Sequence, residues 1–314
     1  MSFTGIWPAL VSPLDVAGNV DVRATERLVE LLLQADIGGL YVCGGTGEGV
    51  LLSREQRRQI AETVVGVVGG QVPVMVHIGA LTTREAVALA QDAVAVGADA
   101  ISAVPPFYYA YTFEAIKSHY RALATATALP LYVYYIPGAT GNPMTVAQLL
   151  EICGLDGVAG FKYTSQDMLF FSEVMAQRDM TRVNVLSGPD ELCMLCQMLG
   201  ADGAIGTTYN IAPRLFSDIR AATLAGKVVA ARELHWRANR IIQVLHKYGV
   251  IPGIKAALRV LGIDVGQGVP PMPPITGETL HAFERDMRTA GLFELRDRPA
   301  LSPQAGDAAR GRLA

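Results

Sequence analysis

The chain has 314 residues, of which 51% are hydrophobic and 18% charged, with 26 basic against 29 acidic side chains. That balance supplies a large buried core and excludes a disordered chain. A net charge of −3 leaves no basic excess for nucleic acid or for an anionic membrane surface, so neither partner is expected.

Four cysteines in a chain of this length do not make a disulfide framework and read as reduced thiols. Met1 to Gly5 lacks the basic segment and apolar core of a signal peptide. Apolar stretches are broken by Gly, Pro or charge well short of a membrane span. The expected location is the cytoplasm.

Short β-rich runs alternate with longer amphipathic stretches. The candidate strands are Gly5 to Leu10, Gly39 to Val42, Val74 to Ile78, Ala100 to Ala103, Leu131 to Tyr135, Val158 to Lys162, Val183 to Ser187 and Gly203 to Ile205. Most are continuous apolar runs, the pattern of parallel strands covered on their outer face. Between them, Ser53 with Gln56, Thr82 with Glu85 and Thr145 with Gln148 have the spacing of a capping box at a helix start. Gly97 and Gly200 stand where helices should stop.

Eight strand–helix units fit before about residue 225. The fold class is therefore α/β, a (β/α)8 TIM barrel. A doubly wound open sheet is the alternative, although it more often uses five or six strands. Beyond Leu224 the alternation gives way to three helical stretches, Val228 to Tyr248, Pro252 to Leu261 and Thr276 to Ala290, with a Pro-rich link at Val269 to Pro274. The domain reading is a catalytic barrel over 1–225, a C-terminal helical extension over 226–296 and a loose tail over 297–314.

In a barrel of this kind chemistry sits at the C-terminal ends of the strands. After the second strand comes Cys43-Gly44-Gly45-Thr46-Gly47-Glu48-Gly49. Clustered glycines let backbone N–H groups converge on a carboxylate or phosphate, and Thr46 adds a hydroxyl. The spacing is neither a Walker loop nor a dinucleotide fingerprint, and an ordinary tight turn remains open. After the fourth strand, Pro105-Pro106-Phe107-Tyr108-Tyr109 is either a packing loop or brings a tyrosine hydroxyl to the barrel mouth or across a subunit contact.

The fifth strand ends Tyr132-Val133-Tyr134-Tyr135-Ile136-Pro137. Alternation sends Tyr132 and Tyr134 to one face and Tyr135 to the other. A phenol facing the interior is either structural or an acid/base. The sixth strand ends in Lys162. A lysine there either reaches solvent or is held among apolar groups, where burial disfavours the ammonium and the neutral amine can attack a ketone.

After the seventh strand come Gly188, Pro189, Asp190 and Glu191, and after the eighth come Thr207 and Thr208. The acids either hold sugar hydroxyls or cap the following helices. Cys193 and Cys196 fall inside a helix pattern with no second ligand pair, so they read as buried thiols rather than a zinc site. His77 lies within an apolar strand. No metal is expected.

Several of these motifs, in order, resemble the family of N-acetylneuraminate lyase and dihydrodipicolinate synthase. They are the glycine loop Gly44 to Glu48, Tyr134-Tyr135-Ile136-Pro137, Gly160-Phe161-Lys162, and Gly203 to Asn210, and the resemblance spans about Gly5 to Pro274. It implies a pyruvate-dependent aldolase or lyase in which Lys162 forms a Schiff base with a 2-oxo acid and Tyr134 transfers the proton. It further implies that the backbone and hydroxyl of Gly45 and Thr46 hold the substrate carboxylate, and that Tyr108 comes from a neighbouring subunit. The assembly implied is a homotetramer built from dimers, without metal or other cofactor.

The resemblance also points to a branch. The synthases carry an arginine two residues after the proline of Tyr-x-x-Pro, and here that position is Ala139. Asp190 and Glu191 match the acidic pair that hydrogen-bonds the polyol in the lyases, alongside Gly188, Thr164 and Thr207. The implied aldehyde product is N-acetylmannosamine. One departure stands out: the family usually has Ser or Thr where this chain has Gly45. That keeps aldolases or dehydratases of 2-oxo-3-deoxy sugar acids, and a ligand-binding paralogue without turnover, as alternatives.

Overall fold

The structure, a computed structural model, describes residues 3–295. The strands are β1 (Gly5–Pro8), β2 (Leu40–Val42), β3 (Val74–His77), β4 (Ala100–Ala103), β5 (Leu131–Tyr135), β6 (Val158–Tyr163), β7 (Asn184–Ser187) and β8 (Gly203–Gly206). The helices that follow them are α1 (Val22–Leu33), α2 (Arg54–Val68), α3 (Thr83–Ala95), α4 (Phe113–Ala126), α5 (Pro137–Thr140), α6 (Val146–Cys153), α7 (Met168–Gln177), α8 (Cys193–Met198) and α9 (Pro213–Leu224). Beyond these lie α10 (Val228–Tyr248), α11 (Val250–Val260) and α12 (Gly277–Ala290).

All strand pairs are parallel, in the order β1-β8-β7-β6-β5-β4-β3-β2. An isolated bridge between Ala9 and Tyr41, with Leu10 N donating to Tyr41 O at 2.9 Å, closes the ring between β1 and β2. The fold is a (β/α)8 barrel with C-terminal helices packed against it. β1 stops at Pro8 rather than Leu10 because beyond it the chain keeps only that one bridge. α11 starts two residues ahead of the expected Pro252, since proline fits the first turn of a helix, where no intrahelical partner awaits its N–H.

The continuous apolar strands hide a period of two that the packing separates. On β5, Leu131, Val133 and Tyr135 join the layer between strands and helices, while Tyr132 and Tyr134 enter the barrel. Trp7, Tyr41, Met75, Leu186 and Ile205 pack with them in the interior. Ser53 and Thr145 make complete capping boxes with Gln56 and Gln148. Thr82 makes only its own half, accepting from Glu85 N. The expected loose tail lies outside the described residues. No helix among the described residues is long and apolar enough to cross a membrane.

Candidate active site

Lys162 and Tyr134 are register partners on β6 and β5, so their side chains leave the sheet on the same face at the same height. Both are buried, with exposures of 4% and 6%. The Lys162 Nζ lies 4.1 Å from the centroid of the Tyr134 ring and 4.4 Å from that of Tyr41. Ring faces favour a cation, so the two aromatics suit an ammonium or an iminium at that nitrogen. The Tyr41 hydroxyl donates to Ser102 Oγ at 3.3 Å.

His77 stands edge-on to Tyr134, with ring centroids 5.9 Å apart. Its Nδ1 pairs with Cys43 O at 3.2 Å. Burial, then the charges of Arg57 and Lys162, hold its pKa well below the usual 6.5, so the imidazole is neutral. Tyr132 is a structural phenol: its hydroxyl donates to Asn184 Oδ1 at 2.9 Å, and burial raises its pKa.

The glycine loop curls over the end of β2. A Cβ on Gly44 would come within 2.3 Å of the Tyr41 ring, so only glycine lets the loop lie against that phenol. The N–H groups of Glu48 and Gly49 turn back to Gly45 O and Gly44 O. Those of Gly45, Thr46 and Gly47 donate to nothing among the described residues, leaving a run of amides suited to an anion. Thr46 Oγ1 meets Thr207 Oγ1 at 2.7 Å, which ties the loop after β2 to the loop after β8. At Gly45 a side chain would meet nothing within 4 Å.

A cleft of about 610 Å3 opens beside these residues. Its polar wall includes Thr164, Gly188, Asp190, Glu191 and Thr207, and its apolar wall is Ile242, Leu245 and Val250 from α10 and α11. Gly188 is obligatory, since a Cβ there would fall 1.8 Å from Thr164 Oγ1. Asp190 Oδ2 accepts from Thr208 N at 2.7 Å. Asp190 therefore pins the loop after β8 and does not cap its own helix. Its Oδ1 and Thr164 Oγ1 are buried without a hydrogen-bond partner among the described residues. Burial pushes the Asp190 carboxyl up to about 7, against the opposing hydrogen bonds from Thr208. Glu191 pairs with His246 Nε2 at 2.7 Å.

Nine of the ten expected site residues thus gather within one chain around the strand ends, eight of them being Gly45 and Thr46 in the loop, Lys162 on β6, and Thr164, Gly188, Asp190, Glu191 and Thr207 along the cleft. Tyr134 joins them beside Lys162. Tyr108 does not: it is 82% exposed, at φ +84°, with its ring edge-on to that of Tyr109.

Three residues escaped the sequence reading. Tyr41 was within reach, because strand alternation already points it inward two residues before the loop. His77 looked like an ordinary strand residue. His246 gave no signal, since nothing in α10 indicates which strand end it will face. Cys193 and Cys196 are buried thiols on α8.

Residues 2–290 match the model of the dihydrodipicolinate synthetase family. The chain belongs to that family. It is accordingly a pyruvate-dependent class I lyase, of a family that works through a Schiff base. Among curated relatives, an N-acetylneuraminate lyase from Rhizobium meliloti (strain 1021) is 37% identical over 283 residues, covering 90% of this chain and 94% of the relative. One from Citrobacter koseri is 38% identical over 261 residues, covering 82% and 87%. Among solved structures, the Clostridium difficile protein CdNal in complex with mannosamine superposes with a TM-score of 0.88 at 29% identity, covering 92% of this chain and all of that one. Dihydrodipicolinate synthase from Aquifex aeolicus gives 0.87 at 27% identity, covering 92% and 99%.

Proposed function

We propose that this family member cleaves and forms the carbon–carbon bond between pyruvate and a sugar aldehyde, with N-acetylneuraminate as the favoured substrate and N-acetylmannosamine as the aldehyde. The observation that carries the reading is the buried pair of Lys162 and Tyr134 on the paired strands β6 and β5, beside a cleft whose wall holds Asp190 and Glu191.

The Lys162 amine adds to the C2 ketone and water leaves, giving an iminium cation over the Tyr41 and Tyr134 rings. The amides of Gly45, Thr46 and Gly47 and the Thr46 hydroxyl hold the C1 carboxylate. Tyr134 takes the proton from the C4 hydroxyl as the C3–C4 bond breaks and the electron pair moves into the iminium, leaving an enamine. Protonation at C3 and hydrolysis release pyruvate and restore the amine. Thr164, Gly188, Asp190, Glu191 and Thr207 orient the tail. The chemistry needs no metal or other cofactor. The enzyme acts in the cytoplasm as a homotetramer of two dimers, each Tyr108 completing a neighbour's site; its exposure and left-handed backbone support that role.

Ala139, which lines the cleft on α5, offers no cation for the second carboxylate of a dihydrodipicolinate-forming reaction. The open space at Gly45 favours a second reading, an aldolase or dehydratase of a shorter 2-oxo-3-deoxy sugar acid whose own hydroxyl fills it.

Pyruvate with borohydride should label Lys162 irreversibly, read by peptide mass spectrometry. Labelling elsewhere, or none at saturating pyruvate, sinks the Schiff-base assignment. A panel of sugar acids assayed for released pyruvate then decides the substrate: turnover of six-carbon 2-oxo-3-deoxy acids without N-acetylneuraminate establishes the second reading.

A further inference from the structure

The glycine loop has to hold its amides in one orientation, yet its composition makes it among the most permissive stretches of the chain. What restrains it comes from the C-terminal helices. Glu48 sits at φ +54°, a left-handed conformation that persists in a non-glycine residue only when its surroundings fix it. Its side chain is buried completely, at 0% exposure, against Lys255 of α11 at 1%. Lys255 Nζ lies 2.6 Å from Glu48 Oε2. It also donates to Ser12 O at 3.0 Å and Gln267 O at 2.8 Å, so the buried ammonium is held between one carboxylate and two carbonyls. The other Glu48 oxygen accepts from Val269 N at 2.6 Å, and Ser12 Oγ donates to Gly47 O at 2.5 Å. Loop, β1 end and the 264–269 connector are thereby tied to one buried ammonium.

We propose that Lys255 and Glu48 are positioning residues for the carboxylate of the 2-oxo acid, which makes the C-terminal helices part of the pyruvate site. This rests on the reading of the Gly45–Gly47 amides as that carboxylate's binding site. Two physical effects act together. The clamp fixes the peptide planes whose N–H groups must converge, so the cost of ordering the loop falls on folding rather than on binding. The ammonium also neutralises a carboxylate only two residues from Thr46, which would otherwise repel an anion in the loop. The pair is not explained as a stability device alone, since a buried ion pair contributes little net stability against a well-packed neutral pair.

The test uses the double variant Glu48→Gln/Lys255→Met in the full chain. It leaves no uncompensated buried charge and keeps an acceptor for Val269 N, but removes the three-way tie. Borohydride trapping is titrated with pyruvate in wild type and variant, with circular dichroism and Tm recorded for each. Half-saturating pyruvate should rise about 10-fold, the scale of one lost charge-assisted contact. The limiting trapping rate at Lys162 should be little changed, because the amine and Tyr134 are untouched. A purely structural pair would lower Tm and leave the half-saturation where it was.

Independently of any variant, hydrogen–deuterium exchange on wild type should show that pyruvate slows exchange in 264–269 as well as in 44–49. Unchanged half-saturation in the folded double variant, or protection confined to 44–49, overturns the proposal. Wild type that traps no pyruvate at all removes the Schiff-base reading first and the clamp with it. Trapped wild type with an unaffected variant removes the clamp alone.

Discussion

The barrel interior at the strand ends, which is the floor of the site, and the rim of the cleft beside it are built differently. At the floor, Lys162, Tyr134, Tyr41 and His77 are buried, lie within aromatic contact and sit on paired strands whose register fixes them. At the mouth, Glu191 and His246 are partly exposed, one following a strand and the other near the end of α10. Rigid strand ends suit a step in which atoms must be placed within fractions of an ångström. A half-open rim suits discrimination among tails, where a few hydrogen bonds decide. Reaction class should therefore resist change at the rim, and substrate choice should respond to it.

The sharpest way to break this contrast is at the floor. Tyr134→Phe should leave pyruvate trapping at Lys162 intact while cutting turnover by roughly 10²–10⁴-fold, the range for a lost acid/base. Steady-state kinetics beside a trapping assay separate the two. Near-normal turnover would make the phenol a packing residue and remove the distinction between floor and rim.

Next in size is Asp190, which lies between floor and rim. Asp190→Ala should lower kcat/KM for N-acetylneuraminate by about 10–100-fold, the scale of an unmatched buried hydrogen bond. Trapping with tailless pyruvate should be much less affected. Equal losses in both assays would place Asp190 with the floor.

Its carboxyl also predicts a pH dependence. Because burial pushes it from the usual 3.8 up to about 7, the folded state holds this proton more tightly than the unfolded state. The stability it contributes is full below the unfolded value and is lost as pH rises through about 7. Asp190→Asn cannot ionise, so the Tm of the variant minus that of wild type should grow as pH rises from about 4 through about 7. A flat difference would show that the carboxyl stays ionised in the fold.

A smaller effect is expected at Gly45. Its backbone is not left-handed and a Cβ meets nothing, so Gly45→Ser should fold without loss of Tm. Adding a hydroxyl at the pyruvate end should raise turnover of N-acetylneuraminate about 2–10-fold, the worth of one ordinary hydrogen bond. A fall would mean that the substrate or its solvent already uses that space. The smallest effect belongs to the rim: His246→Ala, read by kcat/KM, should cost N-acetylneuraminate only about two- to fivefold, as for an exposed pair. Trapping with pyruvate should not move. A loss as large as that of Asp190→Ala would show that the rim is built as tightly as the floor.

Much of the floor was legible beforehand. Alternation on β5 put Tyr134 inward with Tyr132, a lysine closed the neighbouring strand, and a glycine loop closed β2. These are local signals, because a parallel strand in a barrel offers only two faces and its functional end is known. The eight strand cores were legible for the same reason: continuous apolar runs bounded by glycine and helix caps have few other ways to pack. Differences in strand length arose only at the ends, where the number of pairing partners decides.

The rim and the clamp were not legible. His246 lies 55 residues beyond Glu191 and Lys255 lies 207 beyond Glu48, and neither spacing carries a periodic signal. In sequence, Lys255 is an ordinary lysine in an amphipathic helix, and Glu48 one more acid after a turn. Burial at a contact between distant segments turns them into a clamp, because an ammonium removed from water has to find its acceptors wherever the packing supplies them. The sequence alone determined which side chains meet at the strand ends. Only the tertiary structure decided which distant helix closes the cleft and holds its loop, since that choice depends on how α10 and α11 dock on the barrel and not on any local pattern of residues.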